Sequence, residues 1–158
     1  GLADWTGMAI LALIGFFNII GTLVMGYLGD KYSKKILLSG LYFLRGITLI
    51  LFIFLPASNL SAVLFGTSFG LLWLATVPAT NGIVAQIFGT KNLTLLFGIV
   101  FLNHQIGSFL GAYLGGYFYD QFGSFDYAWY LAIVLSFIAS ALHLPIDERP
   151  IAAVDKTI

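Results

Sequence analysis

Between Gly26 and Lys35 the chain reads Gly-Tyr-Leu-Gly-Asp-Lys-Tyr-Ser-Lys-Lys, a decapeptide holding Asp30, Lys31, Lys34 and Lys35 in a sequence where only 9 % of residues are charged. The chemistry open to this group is ion pairing. Asp30 falls at the C-terminal end of one apolar run, where a helix dipole is already negative, and Lys34 and Lys35 open the next run at its positive end. Both signs stand at the unfavourable helix end. The groups are therefore expected to stabilise each other or a neighbouring helix end across a tight hairpin, with Ser33 placed to cap the second helix.

A second set of polar side chains lies inside apolar runs. Arg45 is the one permanent charge deep within such a run, and burying it in a bilayer costs at least about 3 kcal/mol, so carbonyls, a carboxylate or a bound anion must compensate it. His104 has the side chain whose unperturbed pKa lies near neutrality, which suits a proton carrier. At about 100° per residue it shares an arc with Gly107, Gly111 and Gly115, a ridge that lets another helix approach closely, while Gln105 is turned away from that arc. Asn18 suits an interhelical hydrogen bond, and Trp73 lies too deep for an interfacial anchor. Paired carboxylates, metal-ligand spacing, a phosphate-binding glycine loop and a nucleophile with a base are all missing from the pattern, so neither an enzyme nor a cofactor or metal site is expected.

The elements that carry these groups follow from composition. Hydrophobic residues make up 59 % of the 158 and the mean hydropathy is strongly positive, against roughly 25 % charged residues in ordinary soluble domains. The chain reads as an all-α polytopic transmembrane helix bundle. Its formal net charge of zero gives no reason to expect nucleic acid, and without cysteine it has neither disulfides nor thiolate ligands. Five spans of about 20 residues each are expected at 8–29, 36–55, 61–88, 93–119 and 127–146, followed by a polar tail over 147–158. Pro78 predicts a bend in the third span, with Thr76, Thr80, Asn81 and Gln86 near enough to re-satisfy freed carbonyls. Asn92 is expected to cap the fourth span.

Basic residues in short loops fix orientation. Lys31, Lys34, Lys35 and Lys91 fall in the first and third loops, Arg149 and Lys156 in the tail, and the second and fourth loops have none. The tail is therefore expected in the cytoplasm. Gly26-Tyr-Leu-Gly-Asp30 and Gly116-Tyr-Phe-Tyr-Asp120 read alike across an odd number of spans, as the two copies of an inverted repeat would. A first residue other than Met, entering a span within a few positions, reads as a fragment of a longer protein.

Gly26, Leu28, Asp30, Lys31, Ser33, Lys34 and Lys35 resemble the hairpin motif of the major facilitator superfamily, with Lys31 where arginine is commoner. The stretch His104 to Asp120 is similar to the eleventh helix of bacterial members, and Pro145-Ile-Asp-Glu-Arg-Pro150 to their ending. The nearest branch is that of monocarboxylate and oxalate/formate type porters. The resemblance implies helices eight to twelve of twelve, the alternative register being two to six. It implies a secondary transporter of a bacterial cytoplasmic membrane that moves a small solute, such as a monocarboxylate, by alternating access, with an N-terminal half as partner and a coupling proton or ion. It makes the hairpin around Gly26 and Asp30 a gating latch. It puts Asn18, Trp73, His104 and Gln105 on helices lining the cavity and Arg45 on a helix outside it, which favours a structural bond for the guanidinium over an anion. A drug or neutral-solute exporter of the same fold and a non-transporting scaffold or sensor subunit are the rival readings.

Overall fold

A computed structural model describes residues 5–151; positions 152–158 of the expected tail lie outside the described residues. The elements are α1 (Thr6–Lys31), α2 (Lys34–Phe54), α3 (Asn59–Trp73), α4 (Thr76–Phe88), α5 (Leu93–Phe122) and α6 (Asp126–His143). With α3 and α4 taken as one run, five helices among the described residues are long and apolar enough to cross a membrane. The fold is thus all-helical, as composition implies.

Each helix end follows from local chemistry. Ser58 starts α3 through a reciprocal capping box in which its Oγ accepts from Ser61 N at 3.1 Å and its own N–H donates to Ser61 Oγ at 3.0 Å. Gly123, at φ +66°, ends α5 in the left-handed conformation and donates its N–H to Tyr119 O at 2.8 Å. Asn92 occupies the N-cap position of α5, yet its side chain makes no capping bond. Backbone turns do that work, through Leu93 N to Thr90 O at 3.3 Å and Leu96 N to Asn92 O at 3.1 Å.

Small residues set the packing, because in a bilayer helices are held by close approach rather than by release of water. α1 packs most extensively on α3, and α2 on α6. A Cβ added to Gly70 of α3 would meet the Ile14 carbonyl oxygen of α1 at 2.8 Å, and one added to Gly66 would meet Ile10 O at 3.3 Å. Gly46 of α2 receives the ring of Phe137 from α6, and Ser39 and Ser140 share a buried hydrogen bond of 3.0 Å across the same interface. A cluster of Met25, Leu38, Leu41, Ala75, Ala79, Ile83 and Val84 fills the space between α1, α2 and α4. The core therefore lies toward the hairpin end of the bundle.

Pro78 bends the third span by breaking it. Its ring crowds the carbonyl four residues back and it lacks an N–H, so α3 closes at Trp73 and α4 opens at Thr76. The freed Leu74 O accepts from Val77 N at 3.0 Å instead. α5 stands apart from the rest: none of its residues is buried, and residues 101–113 are all exposed.

Candidate functional site

Three places gather the polar residues. At the hairpin, Tyr32 and Ser33 alone separate α1 from α2. Ser33 sits at the N-cap of α2, but its side chain does not cap the helix. Its Oγ donates to Glu148 Oε2 at 2.7 Å, and Glu148 Oε1 accepts from Lys35 N at 2.8 Å. A carboxylate from beyond α6 thus supplies the negative charge that the start of α2 lacks. Lys35 Nζ returns the contact by donating to Ile146 O at 2.8 Å. Gln86, near the end of α4, donates to Glu148 O at 3.1 Å and accepts from Lys34 Nζ at 2.9 Å. Two lysines and one glutamate therefore clasp α2, α4 and the segment after α6.

Burial pushes the Glu148 carboxyl up, but hydrogen bonds from Ser33 and the α2 backbone amides, with the charge of Lys34, outweigh it and hold the group below the usual carboxylate range. Nearby, Arg149 donates to Asp147 in an exposed ion pair of 2.8 Å, a pairing of little consequence for stability. Lys31 turns back one helical turn to the hydroxyl of Tyr27 and lies 4.1 Å from the centre of its ring. Asp30 is exposed and takes none of the hydrogen bonds or ion pairs found among the described residues. Gly26 has open space where a Cβ would project.

The second place is the junction of α3 and α4. Arg45 Nη2 donates to Leu72 O at 2.7 Å and to Trp73 O at 2.9 Å, so the guanidinium of α2 closes the C-terminal end of α3. Asn18 Oδ1 of α1 accepts from Leu74 N at 3.0 Å. Thr76 Oγ1 donates to Trp73 O at 3.2 Å. Of the four residues expected to serve the bend, Thr76 makes a bond there and Gln86 belongs to the hairpin clasp. Arg45 Nε is buried without a partner among the described residues. The Trp73 ring, 47 % exposed, lies edge-on to Phe69 at 4.9 Å between centroids.

The third place is the exposed face of α5. His104 and Gln105 are both exposed, and His104 stacks on Phe101 at 6.0 Å between centroids. Gly107, Gly111 and Gly115 have nothing within 4 Å of where a Cβ would stand. No described helix lies against the expected ridge. Asn103 and Ser108 bond back to carbonyls of their own helix, Ile99 O at 2.9 Å and His104 O at 3.0 Å.

Glu148 is the functional candidate that the loop pattern hides. Its signal was present: α2 begins with two lysines and has no acidic residue in its first turn, so the compensating charge had to come from another segment at the same end. Among the described residues no group of three His, Cys, Asp or Glu could hold a metal ion.

Apolar crossings, glycine-mediated contacts and a charged clasp at one end define a polytopic membrane helix bundle. Residues 3–157 match the model of the Major Facilitator Superfamily, and the chain belongs to that family. It is 31 % identical over 134 residues to the uncharacterized MFS-type transporter YcxA of Bacillus subtilis (strain 168), covering 82 % of this chain and 32 % of that one. It is 27 % identical over 125 residues to monocarboxylate transporter 13 of Rattus norvegicus, covering 78 % and 29 %. It is also 27 % identical over 128 residues to the sphingosine-1-phosphate transporter SPNS2 of Danio rerio, covering 80 % and 25 %. The chain spans about a third or less of the length of these relatives. No solved structure matches it.

Proposed function

We propose that these residues are helices eight to twelve of a secondary transporter that moves a small organic anion, such as a monocarboxylate, by alternating access. The observation that carries this reading is the middle of α5. Asn103, His104 and Gln105 are exposed in a helix apolar enough to cross a membrane, and side chains of this kind face a partner helix or a water-filled cavity rather than lipid. His104 and Gln105, with Trp73, contribute to the solute or proton path. Asn18 and Arg45 support it from behind, since both are bonded to the backbone of the broken helix. The hairpin clasp faces the cytoplasm, with Asp30 free to meet an end of a helix in the absent half during one stage of the cycle. Support for a monocarboxylate substrate comes from the name of the rat relative, monocarboxylate transporter 13.

Uptake of radiolabelled lactate and pyruvate into proteoliposomes holding the full-length protein tests this reading. Saturable uptake that falls about tenfold or more in His104→Ala or Gln105→Ala, with the protein still folded, is expected. Uptake no greater than in empty vesicles overturns the substrate assignment. A second reading, export of an amphipathic solute, takes its support from the sphingosine-1-phosphate transporter among the relatives. Efflux of a fluorescent lipid analogue, uncompeted by lactate, would favour it.

A further inference from the structure

The junction between α3 and α4 is held from outside the broken helix. Proline accounts for a missing bond at Leu74 O but does not fix the angle between the two halves, because a helix that has lost one hydrogen bond can bend over a range. Two side chains from two other helices act on that freedom. Arg45 of α2 binds the last carbonyls of α3, Leu72 O at 2.7 Å and Trp73 O at 2.9 Å, and Asn18 of α1 holds the Leu74 amide at 3.0 Å. The halves on either side are anchored differently. α3 is locked to α1 where Gly66 and Gly70 meet the backbone of Ile10 and Ile14, whereas the far end of α4 is tied through Gln86 to Lys34 and Glu148.

We propose that the α3–α4 junction is a hinge whose setting is held by Arg45 and Asn18 acting as a two-sided clamp. While both bonds stand, the half-span locked to α1 and the half-span tied to the hairpin clasp keep one relative orientation. Release of the guanidinium leaves the Leu72 carbonyl unbound and Trp73 O with the Thr76 hydroxyl alone, so the clamped setting is favoured until another arrangement of the helices offers a donor. The hinge goes beyond the transport reading and does not depend on which solute is carried.

The test is a distance measurement across the hinge. This chain has no cysteine, so spin labels placed at exposed positions 60 and 88 in the full-length protein, with any cysteine outside these residues replaced, report the α3–α4 angle in lipid nanodiscs. Arg45→Gln and Asn18→Ala are each expected to broaden or shift the distance distribution. They should also raise amide exchange over Leu74 to Val77 about tenfold. Arg45→Lys, which keeps the charge but loses the fork, should show a smaller change. Pro78→Ala returns a donor to Leu74 O, so the same Arg45→Gln change made in that background should no longer move the distance. An unmoved distribution in both Arg45→Gln and Asn18→Ala overturns the clamp, as does an equal effect of Arg45→Gln with and without Pro78. Where Arg45→Gln fails to insert, Asn18→Ala decides alone, because it removes one neutral acceptor and leaves the membrane charge unchanged.

Discussion

Glu148 is the sole glutamate in the chain, and its carboxylate bridges Ser33 and the first amides of α2. Glu148→Gln keeps the shape but loses the charge, and should cost about 1 kcal/mol, below the usual range for charge-assisted bonds because the group is partly solvated. Thermal unfolding in detergent checks this. The sign with pH follows from its lowered pKa. The clasp is fully present above the ordinary carboxylate range and is lost as pH falls through the depressed folded value, so the protein should lose stability in acid and Glu148→Gln should flatten that loss. Gly70 gives a sharper case. Alanine gains about 1 kcal/mol in helix propensity, but its methyl would meet the Ile14 carbonyl oxygen at 2.8 Å, and backbone cannot rotate aside. Gly70→Ala should therefore be destabilising by about 1 to 2 kcal/mol, while Gly111→Ala, with open space around it, should show no packing loss in the same unfolding assay. The need for a partner at Arg45 was legible from its charge alone. Which partner was not, because the Leu72 and Trp73 carbonyls become available only once Pro78 has broken a helix elsewhere in the sequence.

Among the elements, the third span shows how far a local rule reaches. A bend was expected at Pro78, and the interruption falls at Leu74 and Ala75, because the proline ring acts on the carbonyl one turn earlier. Pro78→Ala should convert α3 and α4 into one straighter helix. Labels at positions 60 and 88 would then approach the separation of an ideal rod, about 42 Å, and a distance unchanged from the parent would contradict this. The glycine ridge of α5 was equally readable from four-residue spacing. Caps were less so: Ser33 and Asn92 have the right side chains in the right places, but neither makes the capping bond. At Ser33 a carboxylate from another segment competes for the same amides and wins on charge.

For the molecule as a whole, the described helices form a bundle with one poorly covered member. Large apolar side chains are exposed along α1, α2, α5 and α6, as lipid-facing helices require, but on α5 they alternate with His104, Gln105 and the bare glycine ridge. If that ridge seats a helix of the absent half, Gly111→Val should leave the expression and thermal stability of the five-crossing portion unchanged but reduce transport by the full-length protein at least about tenfold. Stability lost in proportion to activity would place the partner within this portion instead. Nothing in the pattern of five crossings reveals what covers α5, because a helix face records only the kind of neighbour it needs. The thirteen exposed residues of its middle also bear on biogenesis. Made without the helices that would face it, this portion would present histidine and glutamine to acyl chains, where polar side chains cost free energy. Pulse-chase labelling should find it short-lived when made alone and long-lived when the remaining helices are supplied from a second plasmid.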